Sequence, residues 1–415
     1  MSACVQSSDS KQSFGVMLKT VSEDCNLACD YCYYSTCGGQ VHQPVRTMDP
    51  DLLEKFIKQY MKRSNGTASF AWQGGEPLLA GLSFFERVVS LQAQYAPPYT
   101  TISNGLQTNG TLINKKWAEF FHTYHFLVGI SLDGPQVIHD QHRVTGSGKG
   151  SYELVMRGIE HLRTAGADFN ILSVIHEDNV SRPEELISFY REQKFEYIQF
   201  IPCMDFRSQQ SGQPGRFRIT PEAYGTFLCE AFDLWYNDGY PDFSIRIFDN
   251  MLAVLMNQES ELCVHRKSCP KMMILESNGD AYPCDFFIDE EHRLGNIGDT
   301  ELESLLTNPV YESFLSMKPD MNKECMTCQY LKFCHGGCPR NRNWLDVNDR
   351  SQKDYFCESY RMFYEHAYNR MKGIADRLRA EQLLRYRKSG APLPGRNDVC
   401  ICGSGDKFKK CCGKL

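Results

Sequence analysis

The hydrophobic pattern in the first half of the chain alternates between strand-like and helix-like segments. Short runs rich in β-branched and aromatic residues predict six strands. They are Phe14–Thr20, Ala68–Trp72, Thr100–Leu106, Phe126–Leu132, Phe169–Ile175 and Tyr197–Ile201. Between these strands, apolar residues recur at helical spacing in segments 52–61, 82–95, 113–121, 152–164 and 183–193. About six βα units predict an α/β fold with a mostly parallel sheet, either doubly wound or curled into a partial barrel.

The pattern changes near residue 240, where short segments, turn dipeptides and closely spaced cysteines replace the βα alternation. Such segments bury too little core to fold alone, so we expect a small domain organised around metal. A polar helix over about 355–387 and a Gly/Pro linker at 390–394 follow. The predicted domains are a barrel at 1–240, a cysteine-rich domain at 241–375, a helix end and linker at 376–393, and a tail at 394–415.

Composition limits the classes of function that fit the chain. The 415 residues carry a net charge of −6, which gives no global electrostatic reason to bind nucleic acid or an anionic membrane. No apolar run approaches the roughly 18 residues of a membrane span, and the polar N-terminus lacks a signal-peptide core. We therefore expect a cytoplasmic protein. In a reducing compartment, 19 cysteines indicate metal or catalysis rather than disulfides.

The first cysteine group follows the first predicted strand. Cys25, Cys29 and Cys32 have the spacing C-x3-C-x2-C, and Cys37 lies just beyond them. With Cys37 the group has the four ligands of a structural zinc site. Three thiolates alone suit a 4Fe–4S cluster that leaves one iron open for a cofactor, unlike a four-cysteine electron-transfer cluster.

This cysteine loop, with the aromatic residue Tyr31 beside its last cysteine, resembles the radical S-adenosylmethionine superfamily. The segment Gln73–Pro77 (QGGEP), at the end of the second strand, resembles that superfamily's glycine-rich cofactor segment, although alone it would be read as a turn. The resemblance implies a partial (β/α)6 TIM-like barrel with S-adenosylmethionine as cofactor. It implies these cofactor-binding residues: Tyr31, Gly74, Gly75, Glu76, Ser131, Arg143 and Met204. Taken alone, Arg143 would be read as a surface ion pair, yet an Arg fork also suits a cofactor carboxylate.

Eight further cysteines have the spacing C-x5-C-x14-C followed by C-x2-C-x5-C-x3-C-x18-C. Eight ligands make two four-ligand centres, and on spacing alone two zinc sites fit as well as two iron–sulfur clusters. The spacing resembles the twin-cluster auxiliary domain of radical enzymes that modify peptides and proteins. That resemblance implies an inner 4Fe–4S cluster on Cys263, Cys269, Cys284 and Cys338. It implies an outer cluster on Cys325, Cys328, Cys334 and Cys357.

Within that superfamily, the segments quoted above and Pro283-Cys284-Asp285 are similar to the anaerobic sulfatase-maturating enzymes. The resemblance implies oxidation of a Cys or Ser of a sulfatase to Cα-formylglycine, with Asp285 as the base. Without it, Asp285 would be read as a turn residue that caps a backbone amide. Tyr34, just beyond the cysteine loop, is expected to face the substrate. The implied partners are an unfolded or nascent sulfatase and an electron donor such as flavodoxin or ferredoxin, and we expect a monomer.

The tail carries Cys400, Cys402, Cys411 and Cys412 in the spacing C-x-C-x8-C-C. Four thiolates flanked by glycines are typical of a closed structural zinc site, because so short a segment needs metal to fold. The tail resembles the zinc motif at the C-terminus of the secretion ATPase. Its lysines form either a solvated surface or a docking face. We assign no metal role to the four remaining cysteines: Cys4, Cys37, Cys203 and Cys229.

Two other functions compete with sulfatase maturation. One is the maturation of a ribosomally made peptide through a thioether or carbon–carbon crosslink. Such enzymes often carry a peptide-clasping domain at the N-terminus, and the few residues before Phe14 argue against one. The other is a non-catalytic, metal-bound docking scaffold. The enzyme hypothesis predicts about twelve irons and one zinc per chain.

Overall fold

The computed structural model describes residues 14–34, 38–205, 216–342, 349, 351–402 and 405–414. All six predicted strands form, and they pair in parallel in chain order. They are β1 (Gly15–Lys19), β2 (Thr67–Gln73), β3 (Thr101–Thr108), β4 (Phe126–Ser131), β5 (Phe169–Ile175) and β6 (Tyr197–Pro202). This arrangement confirms the predicted α/β fold with a mostly parallel sheet.

Helices connect these strands, as a parallel sheet requires. They are α1 (Pro50–Arg63), α2 (Leu82–Tyr95), α3 (Lys115–Thr123), α4 (Gln136–His142), α5 (Tyr152–Ala165) and α6 (Pro183–Glu192). Helix α1 begins where the Asp49 carboxylate accepts the Asp51 and Leu52 N–H groups, with Pro50 at its first position. The sequence analysis missed α4, because its seven residues are too few and too polar to show a period.

The cysteine-rich region extends the same sheet instead of forming a separate one. After α7 (Pro221–Tyr236) come β9 (Ser244–Ile245) and α8 (Arg246–Leu255). Strand β9 pairs with β6 at one edge. At the other edge, β10 (Met272–Leu275) pairs in parallel with β1, and β11 (Asp280–Tyr282) and β12 (Gly295–Asn296) continue antiparallel. Strands on both sides of residue 240 therefore share one sheet. The domain boundary predicted at residue 240 stays a prediction.

The order of the ten strands is β12-β11-β10-β1-β2-β3-β4-β5-β6-β9. A separate two-stranded ribbon pairs β7 (Met204–Asp205) with β8 (Arg216–Phe217). Short helices α9 (Leu302–Leu306), α10 (Pro309–Ser316) and α11 (Leu331–Cys334) complete the cysteine-rich region. Met273 and Leu275 of β10 belong to the same buried apolar cluster as Val16 and Leu18 of β1. One core therefore supports both the barrel and the metal-ligand segments.

Helix α12 (Cys357–Lys388) confirms the predicted polar helix. Its first half packs on α7 and α8 through buried residues such as Phe363, Ala367 and Met371. Near its end, Leu383 packs against the tail cysteines. Of the helices in the described part of the chain, none combines the length and apolar character needed to cross a bilayer.

Candidate active site and metal centres

The predicted site residues of the barrel lie at the carboxyl ends of neighbouring parallel strands, where TIM-type barrels hold their active sites. The loop with Cys25, Cys29 and Cys32 follows β1, and the segment 74–76 follows β2. Asn109 follows β3 directly, and Ser131 is the last residue of β4. The fold therefore brings together, at one edge of the sheet, site residues that are up to about a hundred positions apart in the sequence.

The three cysteines of the first loop differ in exposure, with Cys29 and Cys32 partly exposed. Cys25 is buried, and its Sγ lies 3.4 Å from the Leu27 N–H nitrogen and 3.8 Å from Asn109 Nδ2. Burial raises the pKa of the Cys29 thiol to about 12, and the nearby Arg143 only partly opposes this. Thiols of this kind become thiolates when they bind metal. Three cysteines on one loop fit a three-cysteine cluster, and Cys37 lies outside the described residues.

The glycine segment after β2 is joined to the cysteine loop by backbone hydrogen bonds. Gly75 N donates to Ser22 O at 2.6 Å, and Glu76 N donates to Asp24 O at 2.7 Å. A Cβ on Gly75 would lie 1.9 Å from Asp24 O, closer than any side chain permits. Glycine at position 75 is therefore required for the loop that carries Cys25 to reach its place.

A Gly75→Ala enzyme is expected to lose the radical cluster selectively, because the new methyl group displaces the backbone just before Cys25. About four of the expected twelve irons should be missing, while the cysteine-rich region keeps its own. Iron analysis and the visible absorption of the anaerobically reconstituted protein measure this. Gly105→Ala is the control, because a Cβ there meets nothing closer than 4.0 Å. Full iron content in Gly75→Ala would contradict the prediction.

Glu76 lies beneath the glycine segment with its carboxylate fully engaged. It accepts hydrogen bonds from Thr108 Oγ1 at 2.7 Å, from Asn109 N at 2.8 Å and from Leu78 N at 3.0 Å. Burial raises the pKa of Glu76 to about 7, although these three hydrogen bonds act to lower it. Glu76 thereby ties the end of β3 to the end of β2 at the floor of the site.

Arg143 pairs with a residue whose role the sequence analysis missed. Its Nε donates to Asp133 Oδ2 at 2.8 Å, and its guanidinium lies 5.4 Å from the ring centre of Tyr31, whose hydroxyl donates to the same carboxylate. Burial acts to raise the pKa of Asp133, but Arg143 and the hydrogen bonds lower it to about 2. Asp133 therefore fixes two of the predicted cofactor residues at once.

Two other predicted cofactor residues lie near this edge. Ser131 Oγ accepts a hydrogen bond from Gln107 Nε2 at 3.1 Å, which links the ends of β3 and β4. Met204 is buried just beyond β6, in the β7–β8 ribbon. Ser131 ends β4, whereas Met204 follows β6, the second strand beyond β4 in the sheet order.

Asp285 lies where the barrel meets the cysteine-rich region. Its carboxylate forms an ion pair with Lys19, the buried last residue of β1, and accepts a hydrogen bond from Tyr33. Gln73 Nε2, at the end of β2, donates to the same Tyr33 hydroxyl at 3.1 Å. The side chain of Asp285 is 13% exposed and that of Lys19 is fully buried. The sequence analysis missed Lys19, because a lysine that ends an apolar strand reads as a solvent-facing cap.

Tyr34, predicted to face the substrate, lies on the other side of Lys19. The ammonium is 4.4 Å from the centre of its ring. Its hydroxyl donates to Glu276 at 2.7 and 2.8 Å, and Ser22 Oγ donates to the same carboxylate at 2.6 Å. Burial raises the pKa of Glu276. Glu276, directly after β10, was not predicted, since its contact with Ser22 spans 254 residues of sequence.

The eight cysteines of the second group separate into two sets in space. Cys325, Cys328, Cys334 and Cys357 line one cavity of about 340 Å³. After burial, the strongest effects on the pKa of Cys357, which is raised to about 12, come from Cys334 and Cys325. The four cysteines that line this cavity are those of the predicted outer set.

The other four cysteines act on one another in the same way. Burial, then Cys263, raises the pKa of Cys338 to about 12, and burial, Cys338 and Cys263 raise the pKa of Cys284. Cys263 also raises the pKa of Cys269. These four are the predicted inner set. Cys284 precedes Asp285, so this set borders the Lys19–Asp285 pair.

The tail cysteines converge on a single point. The sulfur atoms of Cys400, Cys402, Cys411 and Cys412 all lie within 4.8 Å of one another, and three of the four residues are buried. This arrangement matches a four-thiolate structural site. Of the cysteines without an assigned role, Cys203 is buried after β6 and Cys229 lies on α7, while Cys4 and Cys37 lie outside the described residues.

Three protein families match consecutive parts of the chain. The radical SAM superfamily matches residues 20–190, an iron–sulfur cluster-binding domain (SPASM) matches residues 267–329, and the SEC-C motif matches residues 396–414. The first two identify the chain as a radical S-adenosylmethionine enzyme with 4Fe–4S clusters. The third matches the four-cysteine tail.

Curated relatives and solved structures extend this match over most of the chain. A cysteine-type anaerobic sulfatase-maturating enzyme of Clostridium perfringens is 35% identical over 88% of this chain and 99% of its own length. A serine-type enzyme of Bacteroides thetaiotaomicron is 36% identical over 85% of this chain and 88% of its own length. The structure of native anSMEcpe with bound AdoMet and Cp18Cys peptide has a TM-score of 0.81 at 34% identity, covering 88% of this chain and 99% of that one. The chain therefore belongs to the family of anaerobic sulfatase-maturating enzymes.

Proposed function

We propose that this enzyme oxidises a cysteine or serine side chain of a sulfatase to Cα-formylglycine. The observation that carries the proposal is the position of Asp285. Its carboxylate lies beside the inner cysteine set and is joined to the ends of β1 and β2 through Lys19, Tyr33 and Gln73. A carboxylate at this junction can take a proton from a substrate held at the edge of the sheet.

We assign the cofactor and metal residues as follows. Tyr31, Gly74, Gly75, Glu76, Ser131, Arg143 and Met204 bind S-adenosylmethionine next to a 4Fe–4S cluster on Cys25, Cys29 and Cys32. The inner cluster takes Cys263, Cys269, Cys284 and Cys338, and the outer one takes Cys325, Cys328, Cys334 and Cys357. The cavity lined by the outer four cysteines and the mutual influence of the inner four support these two sets.

The reaction removes two electrons and two hydrogens from the substrate side chain. When bound, a cluster on Cys25, Cys29 and Cys32 would pass one electron from the external reductant to S-adenosylmethionine, and the products would be methionine and 5′-deoxyadenosine, whose added hydrogen comes from the substrate β-carbon. Asp285 accepts the proton of the side-chain hydroxyl or thiol, and the second electron leaves towards the inner cysteine set. A carbon–oxygen or carbon–sulfur double bond results. The thioaldehyde from cysteine then reacts with water to give the aldehyde and sulfide.

The polar partners of Asp285 prepare it for this role. Lys19 is excluded from solvent, so its charge acts on the carboxylate without screening by water. Tyr33 donates to the carboxylate and is itself held by Gln73 and by an edge-on contact with Phe286 at 5.0 Å. These contacts fix the carboxylate in one orientation before substrate arrives.

Anaerobic reconstitution with a reductant, S-adenosylmethionine and paired peptides tests the proposal. One peptide carries the target cysteine or serine, and its control carries alanine there. With the peptide that carries the target cysteine or serine, we expect 5′-deoxyadenosine and an aldehyde that a hydrazide reagent captures. A crosslinked peptide without an aldehyde would indicate peptide maturation instead. Absence of 5′-deoxyadenosine at full iron content would contradict the enzyme proposal altogether.

The proposal includes an unfolded sulfatase segment as substrate, flavodoxin or ferredoxin as electron donor, and a monomeric enzyme. The bound peptide in the related structure supports the first of these. A peptide-binding assay with the Cys- and Ser-containing segments, compared with the folded sulfatase, tests it. Stronger binding to the folded protein would contradict it.

We also propose that the tail binds one zinc ion. Replacing Cys411 and Cys412 by serine is expected to remove one zinc per chain and leave the iron content unchanged. Among the described residues, the apolar cluster that the tail cysteines share with Leu383 contains none of the other cysteines. Elemental analysis measures both metals. Loss of iron in this variant, or retention of zinc, would contradict the assignment.

A further inference from the structure

Three buried charged side chains surround the turn that joins the two auxiliary cysteine sets. This turn, Gly336–Gly337, lies between Cys334 of the outer set and Cys338 of the inner set. Lys318, Arg342 and Asp354 around it are 0%, 1% and 4% exposed, respectively. Such charges are costly to bury unless something in the structure balances them.

The turn is built to accept these side chains. Gly336 and Gly337 have φ of 76° and 71°, a conformation that favours glycine. A Cβ on Gly337 would lie 2.1 Å from Asp354 Oδ2, and one on Gly336 would lie 3.1 Å from the Arg342 guanidinium. Two glycines are therefore needed for the charged groups to approach the backbone between the two sets.

Backbone groups make most of the hydrogen bonds of these three side chains, and Asn341 Nδ2 also donates to Asp354 at 3.1 Å. Asp354 offsets only one of the two positive charges. Lys318 Nζ donates to Val264 O at 2.7 Å and to Gly337 O. Arg342 donates to backbone carbonyls only: those of Gly336, Met317, Asp320 and Lys318. Asp354 accepts from Cys338 N and Phe356 N, each at 2.8 Å. Within the described residues, neither cation has a carboxylate partner in an ion pair.

The cysteine sets supply the missing counter-charge. Lys318 Nζ donates to the carbonyl groups of Val264, next to Cys263, and of Gly337, next to Cys338, so its charge lies beside the inner set. Asp354 lies between the two sets, because its carboxylate accepts from Cys338 N and its carbonyl oxygen accepts from Cys357 N at 2.9 Å. A cluster held by four thiolates is an anion, and net charge and nearby groups set its reduction potential. Arg340, two residues after Cys338, is a further cation, and its guanidinium lies 4.3 Å from the ring centre of Phe286.

We propose that Lys318 is a positioning residue for electron transfer. Its positive charge raises the reduction potential of the inner auxiliary cluster. A buried positive charge stabilises the reduced, more negative cluster, so that the inner cluster accepts the electron leaving the substrate. Asp354 opposes reduction from the other side of the same turn. The inference rests on the ligand sets proposed above. Its test measures a potential, whereas failure of the proposed function would appear as missing aldehyde.

An EPR-monitored redox titration tests this in full-length enzyme whose Cys25, Cys29 and Cys32 are replaced by alanine, so that only the auxiliary clusters contribute. In Lys318→Gln, which keeps donor groups but removes the charge, we expect the reduced-to-oxidised ratio of one cluster to fall about tenfold at fixed potential. For a one-electron couple this is a shift of about 59 mV to lower potential. Lys318→Arg retains the charge and should stay near the parent value. Lys115→Gln, 82% exposed on α3, is the surface control.

Asp354→Asn is an independent test, in which the reduction potential is expected to change in the opposite direction. Removing its negative charge is expected to move a potential upward, and asparagine can still accept the Cys338 N–H. Unchanged potentials in Lys318→Gln at full iron content, or an equal fall in Lys318→Arg, would overturn the inference. If Lys318→Gln does not retain iron, Asp354→Asn decides, since an upward shift supports the inference and an unchanged or lower potential overturns it.

Discussion

Asp285→Asn is expected to separate the two halves of the reaction, leaving S-adenosylmethionine cleavage near normal while formylglycine formation falls by about 10²- to 10⁴-fold. That range is typical for removal of a general base. Asparagine matches the size of aspartate and can still accept the Tyr33 hydrogen bond, but it cannot take a proton. 5′-Deoxyadenosine and the captured aldehyde are measured in the same anaerobic reaction.

Because Asp285 follows Cys284, iron content must be measured in the same sample. Asp299→Asn, an exposed carboxylate in the same region, is the matched control and should leave both products unchanged. Formylglycine at the parent rate in an Asp285→Asn enzyme with full iron would exclude Asp285 as the base. Loss of both products would instead place the residue in cofactor binding.

Local sequence pattern was sufficient to predict the parallel strands, most of the helices and the cysteine groups. Hydrophobic periodicity and ligand spacing are properties of short segments. Leu53 and Phe56 of α1 can therefore be recognised as core residues, and Cys325 and Cys328 as metal ligands, from the local sequence alone. The tail cysteines could be recognised as well, because all four lie in the short segment from Cys400 to Cys412.

The partners of these residues could not be predicted, because they depend on how distant segments meet. No role was predicted for Asp133, yet it holds both Tyr31 and Arg143. Lys19 and Asp285 are separated by most of the chain, and they meet only because β10 pairs in parallel with β1. A short strand such as β10, with four residues, carries no period that would predict this pairing.

That pairing has a measurable energetic consequence. Lys19→Met is expected to lower the free energy of unfolding by about 3–5 kcal/mol, the range for removing one partner of a buried ion pair. The loss arises because Asp285, only 13% exposed, keeps its charge without its counter-ion. Methionine is similar in length to lysine but lacks the ammonium, which lies 4.4 Å from the centre of the Tyr34 ring in the parent. Anaerobic thermal or denaturant unfolding of the iron-loaded protein measures the change.

The double variant Lys19→Met/Asp285→Asn identifies the cause of this loss. If the penalty is an unpaired charge, the double variant should be more stable than Lys19→Met alone, so the two effects are strongly non-additive. Lys55→Met, whose ammonium donates to Gly298 O on the exposed surface, is the control and should change stability little. Simple additivity of the two substitutions would mean that Lys19 contributes packing and not charge. In that case Asp285 would owe its orientation to Tyr33, and Tyr33→Phe would become the variant that lowers aldehyde formation.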